Sequence, residues 1–349
     1  MINLNPQTLR NDAYWQKLRG QSLFLTGGTG LFGRWFVRDL LEANAQLGTS
    51  IKLTILSRKP ASILASLPGY YQNSAIDWVA GNVLDFKFPT TQYSQIIHMA
   101  TTSAHETFAG EASLAKFKML VDGTEHVMQF AEICGAKKVL FTSSGVVYGA
   151  YPSAMQKVAE SYQGAPIFTD EASGLAQGKR AAEYIVSAYA QKLGIEFTIA
   201  RCFSFVGSGL PLDVHYAIGN FIHDALHKEA IIVRGDGSPM RSYLHLGDLI
   251  SWLLALLVDG KSRQIYNVGS DEAISILDLA YLVRDLISPQ KPVIVLGNIN
   301  HNVGNFGRHW YVPDISLARN ELNLDVWMPL KSAILETAQA ATNQQLNTI

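Results

Sequence analysis

From residue 22 onward, short apolar runs alternate with longer segments in which apolar residues recur at helical spacing. Short apolar runs of this kind predict strands that are buried on both faces, and the segments between them predict helices that cover those faces. The strands predicted in this way span residues 22–26, 52–56, 77–80, 95–99, 138–142 and 196–201. A chain with this alternation is expected to form an α/β fold on a doubly wound parallel sheet.

The first predicted strand runs directly into a glycine-rich turn, Thr26-Gly27-Gly28-Thr29-Gly30-Leu31-Phe32-Gly33. Three glycines spaced by two residues allow a tight turn and a close approach of the backbone to a diphosphate. The helix that comes next offers its N-terminal amides and partial positive charge to the same anion. We therefore expect a Rossmann-type sheet that binds a dinucleotide here. The expected contacts are Gly27, Thr29, Gly30, Leu31, Phe32 and Gly33.

The alternation becomes irregular beyond about residue 207, where loops and short elements replace the regular pattern. We divide the chain accordingly into an N-terminal extension, residues 1–20, and a dinucleotide-binding domain, residues 21–206. A smaller C-terminal lobe, residues 207–349, is expected mainly to bind the substrate, with elements that return to the core.

Two helical segments, 114–133 and 176–193, are longer than the others and carry two apolar faces each. One face of each segment can cover the sheet, and the other can pack on a second subunit. We therefore expect a homodimer. In the C-terminal lobe, helices are expected at 217–227 and 248–258, with a strand at 231–234 between them.

Composition narrows the class of protein. The chain has 349 residues, 48% of them apolar, and a formal net charge of -1, so it can bury a large core and carries no charge bias toward nucleic acid or an anionic membrane. Cys134 and Cys202 lack the spacing of a disulfide framework or a zinc site, and no metal site is predicted. The N-terminal segment is too polar for a signal peptide, and no apolar run reaches about 18 residues. We expect a globular cytoplasmic enzyme.

The end of the second predicted strand bears on the choice of dinucleotide. An NAD site usually places a carboxylate there, which accepts a hydrogen bond from the adenosine ribose. Here Ser57, Arg58 and Lys59 stand instead, and a guanidinium beside a hydroxyl suits a 2'-phosphate. We expect Ser57 and Arg58 to contact the cofactor and favour NADP slightly. NAD stays open, because two basic residues after a strand are also typical of a solvated turn.

Further along, Lys138-Val-Leu-Phe-Thr-Ser-Ser-Gly-Val-Val-Tyr-Gly149 resembles the active-site strand of the extended short-chain dehydrogenase/reductases, the NAD-dependent epimerase/dehydratase family. Other family motifs occur in order, among them the glycine turn, Gly81-Asn82-Val83, His98-Met99-Ala100, Lys179 to Glu183 and Arg241 to Asp248. The resemblance covers about residues 20–335. It implies dinucleotide-dependent chemistry on a nucleotide-linked sugar, with further cofactor contacts at Asn82, Val83, Met99, Ala100 and Thr101.

By this resemblance, Ser144 corresponds to the hydroxyl that polarises the reacting sugar carbonyl or alcohol. Lys179 corresponds to the lysine that holds the nicotinamide ribose and lowers the pKa of a neighbouring tyrosine. Hydride transfer at a carbinol needs a proton acceptor tuned by a nearby positive charge, so both are expected to be catalytic. The structural alternatives are a strand-end hydroxyl for Ser144 and, for Lys179, a surface lysine paired with Glu183 one turn later.

The sequence departs from the family at three positions. The motif Tyr-x-x-x-Lys requires tyrosine where this chain has Leu175, and leucine cannot transfer a proton. Leu120 and Ser204 stand where the family usually has asparagine, and Ser204 is still expected to contact the substrate. Either another group does the acid/base work, or the chain is a degraded enzyme that retains ligand binding, or its chemistry needs no tyrosine. The candidate substitutes are Tyr148, Tyr151, Tyr162 and His215.

The resemblance places the nucleotide-sugar contacts in the C-terminal lobe. Arg241 corresponds to an arginine that clamps the diphosphate, for which a guanidinium fork is well suited. Asn220 and Phe221, at a predicted helix turn, match a position that binds the same diphosphate, and Arg308 is a further substrate candidate.

The residues after the active-site strand bear on the reaction. The family's 4,6-dehydratases usually carry an Asp-Glu pair after the first serine or threonine, whereas this chain has Ser144-Gly145. Dehydration is therefore disfavoured and decarboxylation ranks lower still. The leading prediction is an NAD(P)-dependent nucleotide-sugar epimerase or 4-keto reductase. The competing hypotheses are a degraded nucleotide-sugar or dinucleotide-binding protein, a 4,6-dehydratase and a redox-sensing regulatory partner of other proteins.

Overall fold

The computed structural model describes residues 6–101, 112–152, 154–214, 216–297 and 309–346. The strands of these residues are β1 (Ser22–Thr26), β2 (Lys52–Ser57), β3 (Ile76–Ala80), β4 (Gln95–His98), β5 (Lys138–Ser144), β6 (Glu196–Cys202), β7 (Phe205–Val206), β8 (Ile231–Val233), β9 (Met240–Arg241), β10 (Leu244–His245), β11 (Gln264–Val268), β12 (Ile274–Ser275), β13 (Val293–Val295) and β14 (Trp310–Tyr311). Their α-helices are α1 (Pro6–Lys17), α2 (Leu31–Leu47), α3 (Pro60–Leu64), α4 (Ser113–Ile133), α5 (Gly174–Leu193), α6 (Ala217–His227), α7 (Leu246–Val258), α8 (Ile276–Ile287), α9 (Ser316–Leu322) and α10 (Leu330–Leu346).

In the described part of the chain, seven strands form one parallel sheet in the order β11-β6-β5-β4-β1-β2-β3. The chain moves outward from β1 through β2 to β3 and then crosses back to β4 on the other side of β1. This reversal opens a crevice at the carboxyl ends of β1 and β4, which is where sheets of this kind bind ligands. The predicted α/β fold with a Rossmann-type doubly wound sheet is confirmed.

Alternation along β1 explains why helices cover both faces of the sheet. Leu23 and Leu25 face one side, where α1, α2 and α7 pack, and Phe24 faces the other, where α4 and α5 pack. All three side chains are fully buried. Burial of a side chain of this size contributes about 1.5–3 kcal/mol, so the two covered faces hold the strands in place.

Two elements of the main body are not marked by the apolar pattern. β11 joins the edge of the sheet beside β6, although only its second half, Tyr266 to Val268, is buried. α1 offers the core few apolar side chains, among them Trp15, and Leu18 follows just after the helix. Asp39 of α2 holds α1 in place by accepting hydrogen bonds from Asn11 Nδ2 (2.8 Å) and Trp15 Nε1 (3.2 Å). Short or sparse apolar runs therefore become ordered through long-range contacts.

Five elements after β6 build a separate core, namely α6, α8, α10 and the paired strands β8 and β13. Two others, α7 and β11, belong to the main sheet and its covering layer. The expected helix at 217–227 is α6, and the one expected at 248–258 is α7, which begins two residues earlier. Next to this core, β9 pairs in parallel with β14 and antiparallel with β12. This small sheet brings residues 240–241 beside residues 310–311.

α4 and α5 pack on each other along their length. Their outward surface carries the exposed side chains of Leu114, Ile133 and Tyr184, which a second subunit could cover. The homodimer stays a prediction, and light scattering that shows a monomer at micromolar concentration would contradict it. As for membranes, none of the helices in the described ranges has both the length and the apolar character to cross one.

The close approach between the β1 turn and β4 can be tested with two glycines. Gly27 and Gly48 both have positive φ, +76° and +60°, so alanine is strained at either position. Only at Gly27 would the added methyl meet backbone, 2.8 Å from the carbonyl carbon of Met99, while nothing lies within 4 Å at Gly48.

We expect Gly48→Ala to lower the free energy of unfolding by about 1–2 kcal/mol, the cost of left-handed backbone. Gly27→Ala should lower it by about 1–3 kcal/mol more, because the methyl also overpacks the turn. Urea denaturation of both variants measures the difference. Equal losses of unfolding free energy in the two variants would contradict the close approach of Gly27 to the backbone of Met99.

Candidate active site

The predicted contacts follow the carboxyl ends of neighbouring parallel strands, which all lie at one edge of the sheet. Along this edge lie Gly27, Thr29, Gly30, Leu31, Phe32 and Gly33 after β1, Ser57 and Arg58 at the end of β2, Asn82 and Val83 after β3, Met99, Ala100 and Thr101 after β4, Ser144 at the end of β5, and Ser204 after β6. The sheet therefore brings residues from six strands to one edge.

The turn after β1 forms a glycine-lined cradle, with glycine at positions 27, 28 and 30. Gly30 N donates to Gly27 O at 3.0 Å, and α2 then begins without a side-chain cap. A Cβ on Gly27 would lie 2.9 Å from the nitrogen of Ala100, so the turn packs too closely on the backbone after β4 for a larger residue. The first amides of α2 stay available to an anion. This cradle fits the diphosphate of a dinucleotide.

A buried histidine joins β1 and β4 behind the cradle. His98 Nδ1 lies 2.7 Å from Thr26 Oγ1, and His98 Nε2 lies 3.1 Å from Thr124 Oγ1 on α4. Thr26 Oγ1 also accepts from Ala100 N at 3.0 Å. Burial, aided by the nearby charge of Lys179, lowers the pKa of His98 to about 3. The ring is therefore neutral near pH 7 and serves as a hydrogen-bonded spacer that fixes the crevice.

The ends of β2 and β3 form the part of the edge that faces the adenosine end of a dinucleotide in this fold. Ser57 is half-buried and its carbonyl accepts from Gly81 N at 2.9 Å, whereas Arg58 is exposed. Asn82 is exposed beside Val83, which is buried against α4. A carboxylate is absent from positions 57 to 59, so the ribose contact of an NAD site is missing there.

Lys179 lies inside the site. Its side chain is 4% exposed, and its Nζ donates to Thr142 O at 2.6 Å and lies 4.7 Å from the centre of the Phe141 ring. Burial lowers the pKa of Lys179 to about 8, against the opposing effects of Cys202 and Glu183. The alternative of a surface lysine paired with Glu183 is wrong, because the ammonium is buried and that carboxylate binds another partner.

That partner is Arg201, in a buried ion pair beneath the site. Arg201 Nε donates to Glu183 Oε1 at 3.0 Å and Nη2 donates to Oε2 at 2.6 Å, while Ser143 Oγ donates to Oε1 at 2.5 Å. The guanidinium also lies 4.5 Å from the centre of the Tyr148 ring. Sequence reasoning missed this pair. Its signal is an arginine at the end of an apolar strand, since a buried charge requires a partner.

Ser144 meets a residue that sequence reasoning also missed. Its Oγ accepts from Val146 N at 3.3 Å, which caps a short 3₁₀ turn, and lies 3.5 Å from Tyr311 Oη. Tyr311 belongs to β14, and its ring centre lies 4.8 Å from that of Phe203. No local pattern marks this tyrosine, because it comes 167 positions after Ser144.

The two leucines that replace family residues both lie near the lysine helix. Leu175 is half-buried in the first turn of α5, four residues before Lys179 and therefore on the same face. Leu120 is buried against α5, where a Cβ on Gly178 would lie 2.9 Å from its Cδ1. Apolar packing thus occupies positions where the family has a phenol and an amide.

The tyrosines that could replace the family's acid/base tyrosine, absent at position 175, have hydrogen-bond partners of their own. Tyr148 Oη is fully buried and donates to Asn267 Oδ1 at 2.7 Å, and burial raises its pKa to about 12. Tyr162 Oη donates to a backbone carbonyl at 3.5 Å, and Tyr151 Oη accepts from Val312 N at 3.2 Å. The fourth candidate, His215, lies outside the described residues.

Among the substrate contacts predicted in the C-terminal lobe, Arg241 is the one that the fold places beside the edge residues. It is half-buried on β9, and its Nη1 donates to the carbonyls of Met240 (2.8 Å) and His309 (3.2 Å). Its register partner on β14 is Tyr311, the tyrosine that reaches Ser144. Arg241 therefore lies on the strand next to β14, whose Tyr311 reaches Ser144.

The remaining predicted substrate contacts are placed differently. Phe221 is 3% exposed and packs in the core of the lobe. The Asn220 amide nitrogen, in the orientation that satisfies its neighbours, donates to Val214 O (2.6 Å) and Leu212 O (3.3 Å), so both side chains stabilise the lobe itself. Ser204 is half-buried after β6. Arg308 lies outside the described residues.

Known proteins resemble most of this chain. The model of the NAD dependent epimerase/dehydratase family matches residues 23–269. UDP-glucuronic acid decarboxylase 1 of Arabidopsis thaliana is 26% identical over 326 residues, which cover 93% of this chain and 71% of that protein.

Two solved structures share the fold. UDP-glucuronic acid 4-epimerase from Bacillus cereus, in complex with UDP-glucuronic acid and NAD, has a TM-score of 0.77 and 19% identity, covering 93% of this chain and 99% of the other. A dTDP-glucose 4,6-dehydratase from Streptomyces venezuelae, with NAD bound, has a TM-score of 0.75 and 20% identity, covering 93% and 98%.

Proposed function

This chain belongs to the NAD-dependent epimerase/dehydratase family, and on that premise we propose that it is an NAD(P)-dependent enzyme that epimerises a nucleotide-linked sugar or reduces its 4-keto form. The observation that carries the proposal is the burial of Lys179 at the edge where the glycine cradle and Ser144 also lie. Burying an ammonium costs free energy. A chain that retains such a group beside a dinucleotide cradle is best explained by chemistry at that edge.

A bound nicotinamide dinucleotide would supply the hydride exchange at a sugar carbon. The turn after β1 would hold its diphosphate, and Lys179 would hold the nicotinamide ribose. Below a pH of about 8 the lysine is an ammonium, which favours the ionised form of an acid beside it. Ser144 Oγ would donate a hydrogen bond to the sugar oxygen and stabilise the charge that develops there.

The residues that follow the first serine of the active-site strand support the choice of reaction class. Elimination of water needs an acid and a base next to the sugar, and Ser144 and Gly145 stand where the 4,6-dehydratases of the family usually carry an Asp-Glu pair. Epimerisation or 4-keto reduction needs only reversible hydride and proton transfer. The relatives include a UDP-glucuronic acid decarboxylase and a dTDP-glucose 4,6-dehydratase. An experiment must therefore also distinguish decarboxylation and dehydration from the proposed reactions.

A second candidate is a catalytically degraded protein that binds a nucleotide sugar or dinucleotide. The observation that favours it is the apolar pair Leu175 and Leu120 beside the lysine helix. This candidate keeps the glycine cradle and Arg241 but has no turnover, so a direct assay separates the two.

The assay incubates purified protein with NAD or NADP and a panel of UDP- and dTDP-linked sugars, including UDP-glucuronic acid, and their 4-keto forms. Products are identified by mass and NMR. We expect wild-type turnover that gives an epimer or a reduced sugar, without loss of water or carbon dioxide. Lys179→Met should lower turnover by about 100-fold or more, because the variant loses both the contact to the nicotinamide ribose and the positive charge that supports acid/base transfer. The proposal is falsified if wild type turns over nothing while Leu175→Tyr creates turnover, since the degraded candidate would then be right.

We further propose that the cofactor site prefers NADP slightly over NAD, while the solved neighbours contain NAD. Arg58, after the end of β2, supports this because it offers a cation where an NAD site has a carboxylate. Arg58→Ala should weaken NADP binding by about 1.5–3 kcal/mol and NAD binding little.

The control for this prediction is Lys52→Ala, which also removes one positive charge. Lys52 lies at the other end of β2, about 20 Å along the strand from Arg58. It should leave both affinities unchanged in calorimetric titration. Equal losses of NAD and NADP affinity in Arg58→Ala would show that this arginine does not read the 2'-phosphate.

For the nucleotide sugar, Arg241→Ala should weaken binding by about 1.5–3 kcal/mol, the range for a hydrogen-bonded charged group, and leave dinucleotide affinity nearly unchanged. Arg284→Ala is a matched control, because Arg284 lies on α8 and pairs with its neighbour Asp285. Calorimetry with UDP or dTDP sugars measures both variants. A joint loss of sugar and dinucleotide affinity in Arg241→Ala would mark Arg241 as a folding residue instead.

A further inference from the structure

The chain lacks the family's acid/base tyrosine on α5, yet the structure brings another phenol to the serine. We propose that Tyr311, from the C-terminal lobe, is the general acid/base of this active site and works with Ser144. The proposal rests on the proposed function, because it assigns the proton carrier for that same reaction.

The contact itself is the first support. Tyr311 Oη lies 3.5 Å from Ser144 Oγ, and either oxygen can donate. This distance is long for a hydrogen bond between hydroxyls. In sites without substrate, catalytic hydrogen bonds are commonly long and tighten when the reacting oxygen enters. A sugar hydroxyl can therefore meet both oxygens at once.

Tyr311 is held in place from two sides. Its ring packs on Phe203, which is 8% exposed and comes just after β6. The next residue, Val312, is fully buried, its carbonyl accepts from Val158 N at 3.0 Å, and its own nitrogen donates to Tyr151 Oη. A tyrosine anchored in this way presents its hydroxyl at a defined position, as an acid/base requires.

The register of the small sheet ties this phenol to the substrate. Tyr311 is the direct neighbour of Arg241 across β9 and β14, and paired residues of parallel strands point to the same side. A nucleotide sugar whose diphosphate is held by Arg241 would place its sugar close to Tyr311 and Ser144. The same strand pair would then both bind the substrate and carry its proton.

The chemistry balances with the dinucleotide as the redox partner. When a secondary alcohol is oxidised, its C–H bond would break and the electron pair would leave as hydride to the oxidised dinucleotide. Its O–H bond would break, and the proton would go to the phenolate oxygen of Tyr311, directly or through Ser144 Oγ, which leaves Tyr311 as a neutral phenol. The electron pair of the broken O–H bond becomes the second bond between carbon and oxygen in the carbonyl. In the reverse direction, hydride returns to carbon, on either face for an epimerase, and Tyr311 returns the proton to oxygen.

The test compares Tyr311→Phe with wild type on the sugar that the product panel identifies. Phenylalanine keeps the ring packing on Phe203 and removes only the hydroxyl. We expect kcat to fall by about 10²–10⁴-fold, with nucleotide-sugar affinity within about threefold and unfolding unchanged. Tyr162→Phe, in the same aromatic cluster but bonded to a backbone carbonyl, should keep wild-type kcat.

A rescue experiment distinguishes a proton-transfer role of Tyr311 from a purely structural one. In the double variant Tyr311→Phe with Leu175→Tyr, a phenol returns four residues before Lys179, and kcat should rise at least tenfold above that of Tyr311→Phe. Active wild type with Tyr311→Phe within threefold of its kcat overturns the Tyr311 assignment and leaves the proposed function standing. Equal losses of affinity and kcat, or no rescue, also overturn it. Inactive wild type overturns the proposed function and this assignment together.

Discussion

The buried ion pair between Glu183 and Arg201 determines how α5 lies against the sheet. Glu183 is one turn after Lys179, so the two-pronged contact with Arg201 on β6 sets the rotation of the helix that carries the lysine. Removing one partner of such a pair typically costs about 3–5 kcal/mol, because the other charge stays buried. The orientation of the helix that carries Lys179 therefore depends on this buried ion pair.

The same pair belongs to a larger polar network under the active-site strand. Arg201 lies over the ring of Tyr148, whose hydroxyl donates to Asn267, and the Asn267 side chain donates to the carbonyls of Val158 and Asp314. These contacts connect β6, β11 and the segment just after β14. The lobe and the sheet are thus joined by satisfied buried polar groups, which specify one arrangement because each unsatisfied group would cost free energy.

This arrangement allows the site to draw its groups from two sides of the crevice. α5 contributes Lys179 but carries leucine at the family's tyrosine position. Tyr311 comes from β14, which stands in the chain just before Asp314 of the polar network. An acid/base needs only to lie within hydrogen-bond reach of the reacting oxygen, whichever element supplies it. A phenol lost from one element can therefore be replaced from another without change in the fold.

The sequence by itself determined the elements whose signal is local: the six apolar strands, the glycine turn after β1, the long helices, and the position of Lys179 four residues after Leu175. Each depends on spacing within a few residues, which helix and strand geometry convert directly into shared faces. Only the tertiary structure decided that β11 completes the sheet, that Asn220 and Phe221 serve the lobe, that Glu183 binds Arg201, and that Tyr311 reaches Ser144. These contacts join residues far apart in the chain, and their formation depends on how the packed elements meet, which no local pattern records.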